Sequence, residues 1–184
     1  MKLEVITGCM YSQKTETFIA KINELRESGK EVVVLKPMQD SRYARHDVVS
    51  HSGIRTKGVA IDDLSEIWEY IEGIDVLAID EVQFFENWDF VDVINDIVSQ
   101  GVEVILSGLN LDFKGRPYGV MPMIMASADV LHLLHATCSV CGKEATRSQR
   151  LVNGKPASVN DPVHIVSEHI TYEPRCRSHH ELRM

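Results

Sequence analysis

The chain has no excess of positive charge: 19 lysines and arginines stand against 27 aspartates and glutamates in 184 residues, a formal net charge of −8. A protein that grips nucleic-acid backbones through a broad charged surface needs the opposite balance. The charge therefore argues against general nucleic-acid binding, while leaving room for a local basic pocket for one nucleotide. A long apolar run is also missing, since no stretch approaches the roughly 20 residues a membrane helix requires. The opening segment, Met1 to Gly8, turns polar too quickly for a secretory signal, so the expectation is a cytoplasmic protein with no membrane partner. Internal repeats and low-complexity segments are absent. Cysteine is scarce, and three of the four, Cys138, Cys141 and Cys176, fall with His179 in the last quarter. In a chain read as cytosolic, such spacing suggests metal binding before disulfides.

The remaining composition, 44% hydrophobic and 25% charged, is that of an ordinary globular protein with one core and a small appendage. Residues 2–7 predict a strand. From Lys14 a helix follows, because Phe18, Ile19, Ile22 and Leu25 share one face and Gly29 ends it. Residues 31–36 contain Val-Val-Val-Leu, a buried-strand signature, whereas residues 37–60 read as a long polar, irregular loop. Leu64, Ile67, Trp68 and Ile71 give a second helical stripe, Val76 to Ile79 another strand, and Phe90 to Val98 a third helix. Val102 to Ser107 predicts a further strand, Gly119 to Ser127 a helix with a methionine-rich face, and Asp129 to Leu134 the last strand. This alternation predicts an α/β fold with a mostly parallel sheet and helices on both faces. We divide the chain into a nucleotide-binding domain, residues 1–134, and a small zinc-binding lobe, residues 135–184.

Gly8-Cys9-Met10-Tyr11-Ser12-Gln13-Lys14-Thr15 matches the phosphate-loop pattern G-x-x-x-x-G-K-[ST] except for its second glycine, which is Gln13. In such loops backbone N–H groups surround a phosphate chain, the lysine adds charge and the hydroxyl holds Mg²⁺. Asp80-Glu81 ends an apolar strand, where a carboxylate can hold Mg²⁺ and a second can take the proton of an attacking hydroxyl. The bland alternative is a helix-capping Asp80 and a solvated Glu81. Cys138-x₂-Cys141, then 34 intervening residues, then Cys176-x₂-His179 offers three thiolates and an imidazole for a tetrahedral structural Zn²⁺, with His180 as a competing fourth ligand. The remaining histidines, His132, His135, His164 and His169, read as surface or core residues.

Together these motifs resemble the thymidine kinase family of the small, zinc-containing type, and the match runs almost end to end. Gly8 to Thr15 stands at the family's G-x-M-[FY]-[SA]-G-K-[ST] loop. Lys36-Pro37 with Asp40-Ser41-Arg42-Tyr43 resembles its K-P-x-x-D-x-R-Y segment, and Val49-Ser50-His51 its V-x-S-H stretch. Asp80 to Phe85 is similar to D-E-[AV]-Q-F-F, and Gly108 to Gly119 to G-L-D-x-D-F-R-G-x-P-F-G. The resemblance implies ATP-dependent phosphorylation of the 5′-hydroxyl of thymidine by a homotetramer. It implies that Gly8, Met10, Tyr11, Ser12, Gln13 and Lys14 hold ATP, and that Thr15 and Asp80 hold Mg²⁺. Glu81 becomes the general base. Arg42 sits near the transferring phosphate, and Asp40 supports the metal or that arginine. Gln83, Phe84, Leu109, Phe113, Tyr118 and Tyr172 line the nucleoside pocket. Residues 163–172, with Val166 and Ser167 among them, form a lasso that grips the base through its backbone, and Cys138, Cys141, Cys176 and His179 hold Zn²⁺.

Two positions depart from the family. Gln13 replaces a glycine, at a cost of about 1–2 kcal/mol if the backbone there is left-handed. Ser167-Glu168 stands where the lasso often has Gly-Gly. The first departure keeps a rival reading open, a degenerate relative that binds nucleotide or nucleoside with little or no turnover. A zinc-stapled nucleic-acid-binding domain is a third reading, opposed by the negative charge.

Overall fold

The architecture, taken from a computed structural model of the chain, is described for residues 1–38, 47–49, 53, 55–85, 87–164 and 167–184. Asp40, Arg42 and Val166, expected in the site, lie outside these residues.

Strand β1 (Leu3–Gly8) is buried along its whole length and runs through the phosphate loop into helix α1 (Lys14–Glu27). β2 (Val32–Pro37) follows, then a hairpin of β3 (Asp47–Val49) and β4 (Arg55–Lys57), then β5 (Val59–Ile61). β6 (Val76–Ile79), helix α2 (Asp89–Ser99), β7 (Glu103–Leu109), helix α3 (Met121–Ser127) and β8 (Val130–Leu134) complete the first part. Six of these strands form one sheet in the order β5-β2-β6-β7-β1-β8, with every neighbouring pair parallel. Parallel strands need crossovers, and the helices that supply them cover both faces. On one face α1 buries Phe18, Ile19 and Ile22 against Ile6, Val34, Ala78 and Ile105. On the other, α2 and α3 bury Phe90, Ile94, Ile97 and Ile124 against Val5, Leu35, Leu77 and Leu106. Adjacent residues such as Val5 and Ile6 enter opposite cores, as the two-residue period of a strand requires.

The structure differs from the sequence reading in two places. The stripe at Leu64 to Ile71 is a short 3₁₀ helix, Leu64–Glu69, capped by Asp63 and Glu66. Three residues per turn bring Ile67 fully into the core and leave Trp68 at the surface. Within residues 37–60, read as irregular, the chain forms the β3–β4 hairpin and the start of β5, which extends the main sheet. Strands of three residues carry too little periodicity to be read from sequence.

The last part of the chain folds into small antiparallel sheets. β9 (Ala136–Thr137) pairs with β10 (Glu144–Ala145), and the cysteine turn 138–141 lies between them. β11 (Arg147–Val152) runs between β12 (Lys155–Pro156) and β13 (Ile170–Arg175). Gln149 ties β11 to the chain's end: its amide donates to the Glu181 carbonyl at 2.9 Å and accepts from the Glu181 N–H at 2.7 Å. No helix among the described residues is long and apolar enough to cross a membrane.

Candidate active site

The carboxyl ends of the parallel strands converge where open α/β sheets bind ligands. β1 ends at Gly8, where a Cβ would lie 2.2 Å from the Leu134 carbonyl oxygen, so only glycine lets the loop leave the sheet between β1 and β8. The loop then turns through Tyr11 and Gln13, both at φ +64°. Gln13 thus occupies the left-handed conformation in which a glycine is cheapest, and it does so as an exposed residue just before α1. Its carbonyl still starts the helix by accepting from the Thr17 N–H at 3.0 Å and the Thr17 hydroxyl at 2.8 Å. Lys14 Nζ donates to the Cys9 carbonyl at 3.0 Å, across the loop. Burial lowers this ammonium below its ordinary value, opposed by the charges of Glu81 and Asp80, which places all three groups in one electrostatic neighbourhood. Ser12 Oγ is buried and has no hydrogen-bond partner among the described residues.

β6 delivers the acid pair. Asp80 is 5% exposed, and its carboxyl is pushed up to about 7, first by burial and then by the neighbouring Glu81 carboxylate. Glu81 stands at φ +56° and its N–H donates to Asp80 Oδ1 at 2.9 Å. A non-glycine residue in this conformation at a strand end is a recurrent feature of functional sites, because the strain aims the side chain. The aim is completed by Gln83, which is fully buried. Its Nε2 donates to Glu81 Oε2, and its Oε1 accepts from the Leu109 N–H at 2.9 Å. Gln83, expected among the nucleoside contacts, therefore has both ends of its amide engaged by the protein. Gly119 lies against it, with a Cβ position 2.2 Å from the Gln83 carbonyl oxygen.

The aromatic residues collect beside Glu81. Phe84 and Tyr118 meet edge to face with centroids 6.1 Å apart, and His164 packs 5.3 Å from Phe84 and 5.7 Å from Tyr118. The Tyr118 hydroxyl also lies 3.3 Å from His164 Nδ1. His164, read from sequence as a surface or core residue, belongs to this cluster. Phe113 and Tyr172 form a second group around Arg150, a residue the sequence reading did not single out. The Arg150 guanidinium stacks 3.8 Å from the Phe113 centroid, and its Nε donates to the Tyr172 hydroxyl at 2.8 Å. Leu109 ends β7 beside the Gln83 amide, and Ser167 begins the described turn into β13, its carbonyl accepting from the Ile170 N–H.

The metal group is compact. Sγ of Cys138, Cys141 and Cys176 and a ring nitrogen of His179 all lie within 4.8 Å of one another, with Cys141–Cys176 at 3.9 Å and Cys138–His179 at 3.8 Å. Bond lengths of about 2.0–2.3 Å from a tetrahedral Zn²⁺ put its ligands between 3 and 4 Å apart, so the group fits that ion. Burial raises the Cys138 thiol, but backbone N–H groups of Cys176, Val140 and Cys141 outweigh it and hold the thiol at about 5, the thiolate a metal needs. His180 does something else: its Nε2 lies 2.8 Å from the Phe113 carbonyl oxygen. This lobe also touches the phosphate loop. Cys9 Sγ donates to the Ala145 carbonyl at 3.3 Å, and the Met10 N–H donates to Ser148 Oγ at 3.0 Å.

The family model described as Thymidine kinase matches residues 1–180. A thymidine kinase from Coprothermobacter proteolyticus is 44% identical over 180 residues, covering 98% of this chain and 90% of that protein. Among solved structures, the genome packaging NTPase B204 from Sulfolobus turreted icosahedral virus 2 in complex with ATP-gammaS aligns at a TM-score of 0.47 and 18% identity, over 72% of this chain and 73% of that one. The same NTPase in complex with AMPPCP aligns at 0.47 and 17%, over 72% and 74%. That likeness is too distant to add to the fold already described. Matched over nearly its whole length by the family and by a close relative, the chain is a kinase and belongs to the thymidine kinase family.

Proposed function

We propose that this kinase transfers the γ-phosphoryl group of ATP to the 5′-oxygen of thymidine, releasing ADP and thymidine monophosphate. The observation that carries the reading is Glu81, held by strained backbone and by Gln83, within electrostatic reach of Lys14 of the phosphate loop and accepting through its carbonyl from the N–H of Phe84 in the aromatic cluster. A hydroxyl seated between those two regions has a carboxylate to accept its proton. As that proton passes to Glu81, the 5′-oxygen bonds to the γ-phosphorus, and the bond from the γ-phosphorus to the β,γ-bridging oxygen breaks with its electron pair leaving on ADP. Lys14 and the loop N–H groups hold the phosphates, and Ser12 Oγ, buried without a partner, is available to one of their oxygens. Asp80 and Thr15 would hold Mg²⁺, which would neutralise phosphate charge. Burial and the neighbouring Glu81 raise the Asp80 carboxyl, and a bound cation would act in the opposite direction. Cys138, Cys141, Cys176 and His179 would hold Zn²⁺, which would cross-link the lobe. Phe84, Phe113, Tyr118, Tyr172, Leu109 and the lasso would enclose the base. The roles of Arg42, Asp40 and Val166 rest on the family resemblance alone.

The rival reading of a relative without turnover rested on Gln13. That residue is left-handed and exposed, a local backbone cost of about 1–2 kcal/mol, while Lys14, Thr15, Asp80 and Glu81 are all retained. Transfer of labelled γ-phosphate from ATP to thymidine tests the proposal. Wild type is expected to be active and Glu81→Gln to lose about 10²–10⁴-fold in kcat. If both wild type and Gln13→Gly bind ATP but transfer nothing, the reading fails.

A further inference from the structure

Arg150 is a deeply buried cation, 3% exposed on β11, and no carboxylate among the described residues pairs with it. A guanidinium stays protonated inside a protein, so taking it out of water without a counter-ion is costly unless its donors are met. Here they are met by neutral oxygens from the pocket. Nη1 donates to the Pro162 carbonyl at 2.6 Å, Nη2 to the Val163 carbonyl and Nε to the Tyr172 hydroxyl. The guanidinium Cζ lies over the Phe113 ring, 3.8 Å from the centroid. Phe113 is itself fixed from behind, since its carbonyl oxygen meets His180 Nε2 at 2.8 Å.

These contacts gather parts of the chain that are far apart in sequence. Phe113 stands on the hairpin after β7, where the Asp112 carboxylate accepts the Lys114 and Arg116 N–H groups at 2.8 and 2.9 Å. Pro162 and Val163 lead into the lasso, and Tyr172 lies on β13 where the lasso returns. One planar group therefore sets where the lasso leaves, where it returns, and how two aromatic rings stand between those points. A lysine can neither fork to adjacent carbonyls nor stack flat on a ring.

We infer that Arg150 is a positioning residue for the nucleoside, which clamps the two ends of the lasso and the rings of Phe113 and Tyr172 into the shape that receives the base. The inference rests on the reading of function above and goes beyond it by assigning base recognition to a side chain that need not touch the base. Arg150 acts on the nucleoside half of the site alone. Ser148, two residues earlier on the same strand, is the one that reaches the phosphate loop.

The test uses the full-length, zinc-replete chain as wild type, Arg150→Lys, Arg150→Met and Tyr172→Phe. Steady-state kinetics with each substrate varied are run beside calorimetric thymidine binding, zinc content and thermal unfolding. Both Arg150 variants are expected to weaken thymidine KM and Kd on the order of tenfold to a hundredfold, with ATP KM within about twofold and zinc still at one equivalent. Arg150→Met in the Tyr172→Phe background should cost less than the product of the two single effects, because the pair acts through one hydrogen bond. Unchanged thymidine KM in both Arg150 variants of an active enzyme overturns the inference alone. Equal losses for ATP and thymidine, with falling zinc content, also overturn it, because they mark general damage to the lobe. A wild type that neither binds nor phosphorylates thymidine overturns the reading of function, and the inference with it.

Discussion

Gln13 carries a conformational cost that can be measured directly. At φ +64° and ψ +28° its backbone is left-handed, its side chain makes no capping hydrogen bond, and the residue is exposed. Replacing it by glycine removes the clash between Cβ and the following carbonyl while loosening the unfolded chain only slightly. Gln13→Gly is expected to stabilise the protein by roughly 1 kcal/mol, about 2–4 °C in Tm for a chain of this size, and to leave activity intact or improved. A lower Tm in differential scanning calorimetry would count against the strain argument. Gly119 behaves in the opposite sense. At φ +50° and with a Cβ position 2.2 Å from the Gln83 carbonyl oxygen, Gly119→Ala should destabilise by about 1–3 kcal/mol and disturb the Gln83–Glu81 contact, read as a fall in both urea midpoint and kcat. At this scale the sequence announced which side chains had the right chemistry, such as Lys14, Glu81 and the cysteines. It gave no sign that Gln83 would accept from the Leu109 N–H or that His180 would meet the Phe113 carbonyl, because those contacts join residues 26 and 67 positions apart that only folding brings together.

Among elements, β11 does more than its six residues suggest. Ser148, Gln149 and Arg150 are all buried, and each anchors a different part: the phosphate loop, the chain's end and the turn at Pro162 and Val163. Alternation along the strand makes this possible, with Ser148 and Arg150 on one side and Gln149 on the other. Ser148→Ala would leave the Met10 N–H without its acceptor in a part-buried setting, for an expected loss of about 1–3 kcal/mol in urea denaturation and a weaker ATP KM. A neutral result would mean that water replaces the hydroxyl and that the strand does not brace the loop. Polar residues in a run such as Arg-Ser-Gln-Arg read as surface, so nothing local marked this strand as buried. The long helices and strands were legible because their apolar periods are strong. The 3₁₀ helix at Leu64–Glu69 was read as an α-helical stripe because two turns cannot separate a period of 3.0 from one of 3.6.

For the molecule as a whole, the metal group and the phosphate loop share a boundary. Cys9 of the loop packs with Cys138, Ala145 and Cys176, so two of the four candidate metal ligands lie against it. Removing zinc with a strong chelator is therefore expected to lower Tm and to weaken ATP binding as well, both restored by stoichiometric Zn²⁺. Unaltered ATP affinity in the metal-free protein would show that the loop stands without the lobe. A second global effect comes from the start of β1. Glu4 is 3% exposed; burial raises its carboxyl, but Lys2 at 2.7 Å, His132 at 2.9 Å and Lys21 at 3.9 Å outweigh that and hold it below its ordinary 4.5. Because the folded value is depressed, this contribution is present above pH 4.5 and is lost as pH falls through the folded value. Glu4→Gln should remove that part of the acid dependence, about 1 kcal/mol or less, in urea titrations between pH 3 and 7.

Local pattern was enough to determine the alternating α/β order, the phosphate loop, the acid pair and the metal quartet, since each depends on spacing within one element or one short turn. Tertiary structure alone decided that β5 and β8 form the edges of the sheet, that His180 meets the Phe113 carbonyl, and that an arginine on a polar strand is buried between Phe113 and Tyr172. The reason is physical. Periodicity and turn chemistry act over a few residues, whereas the burial of a charge or an amide becomes affordable only where partners from distant segments arrive together.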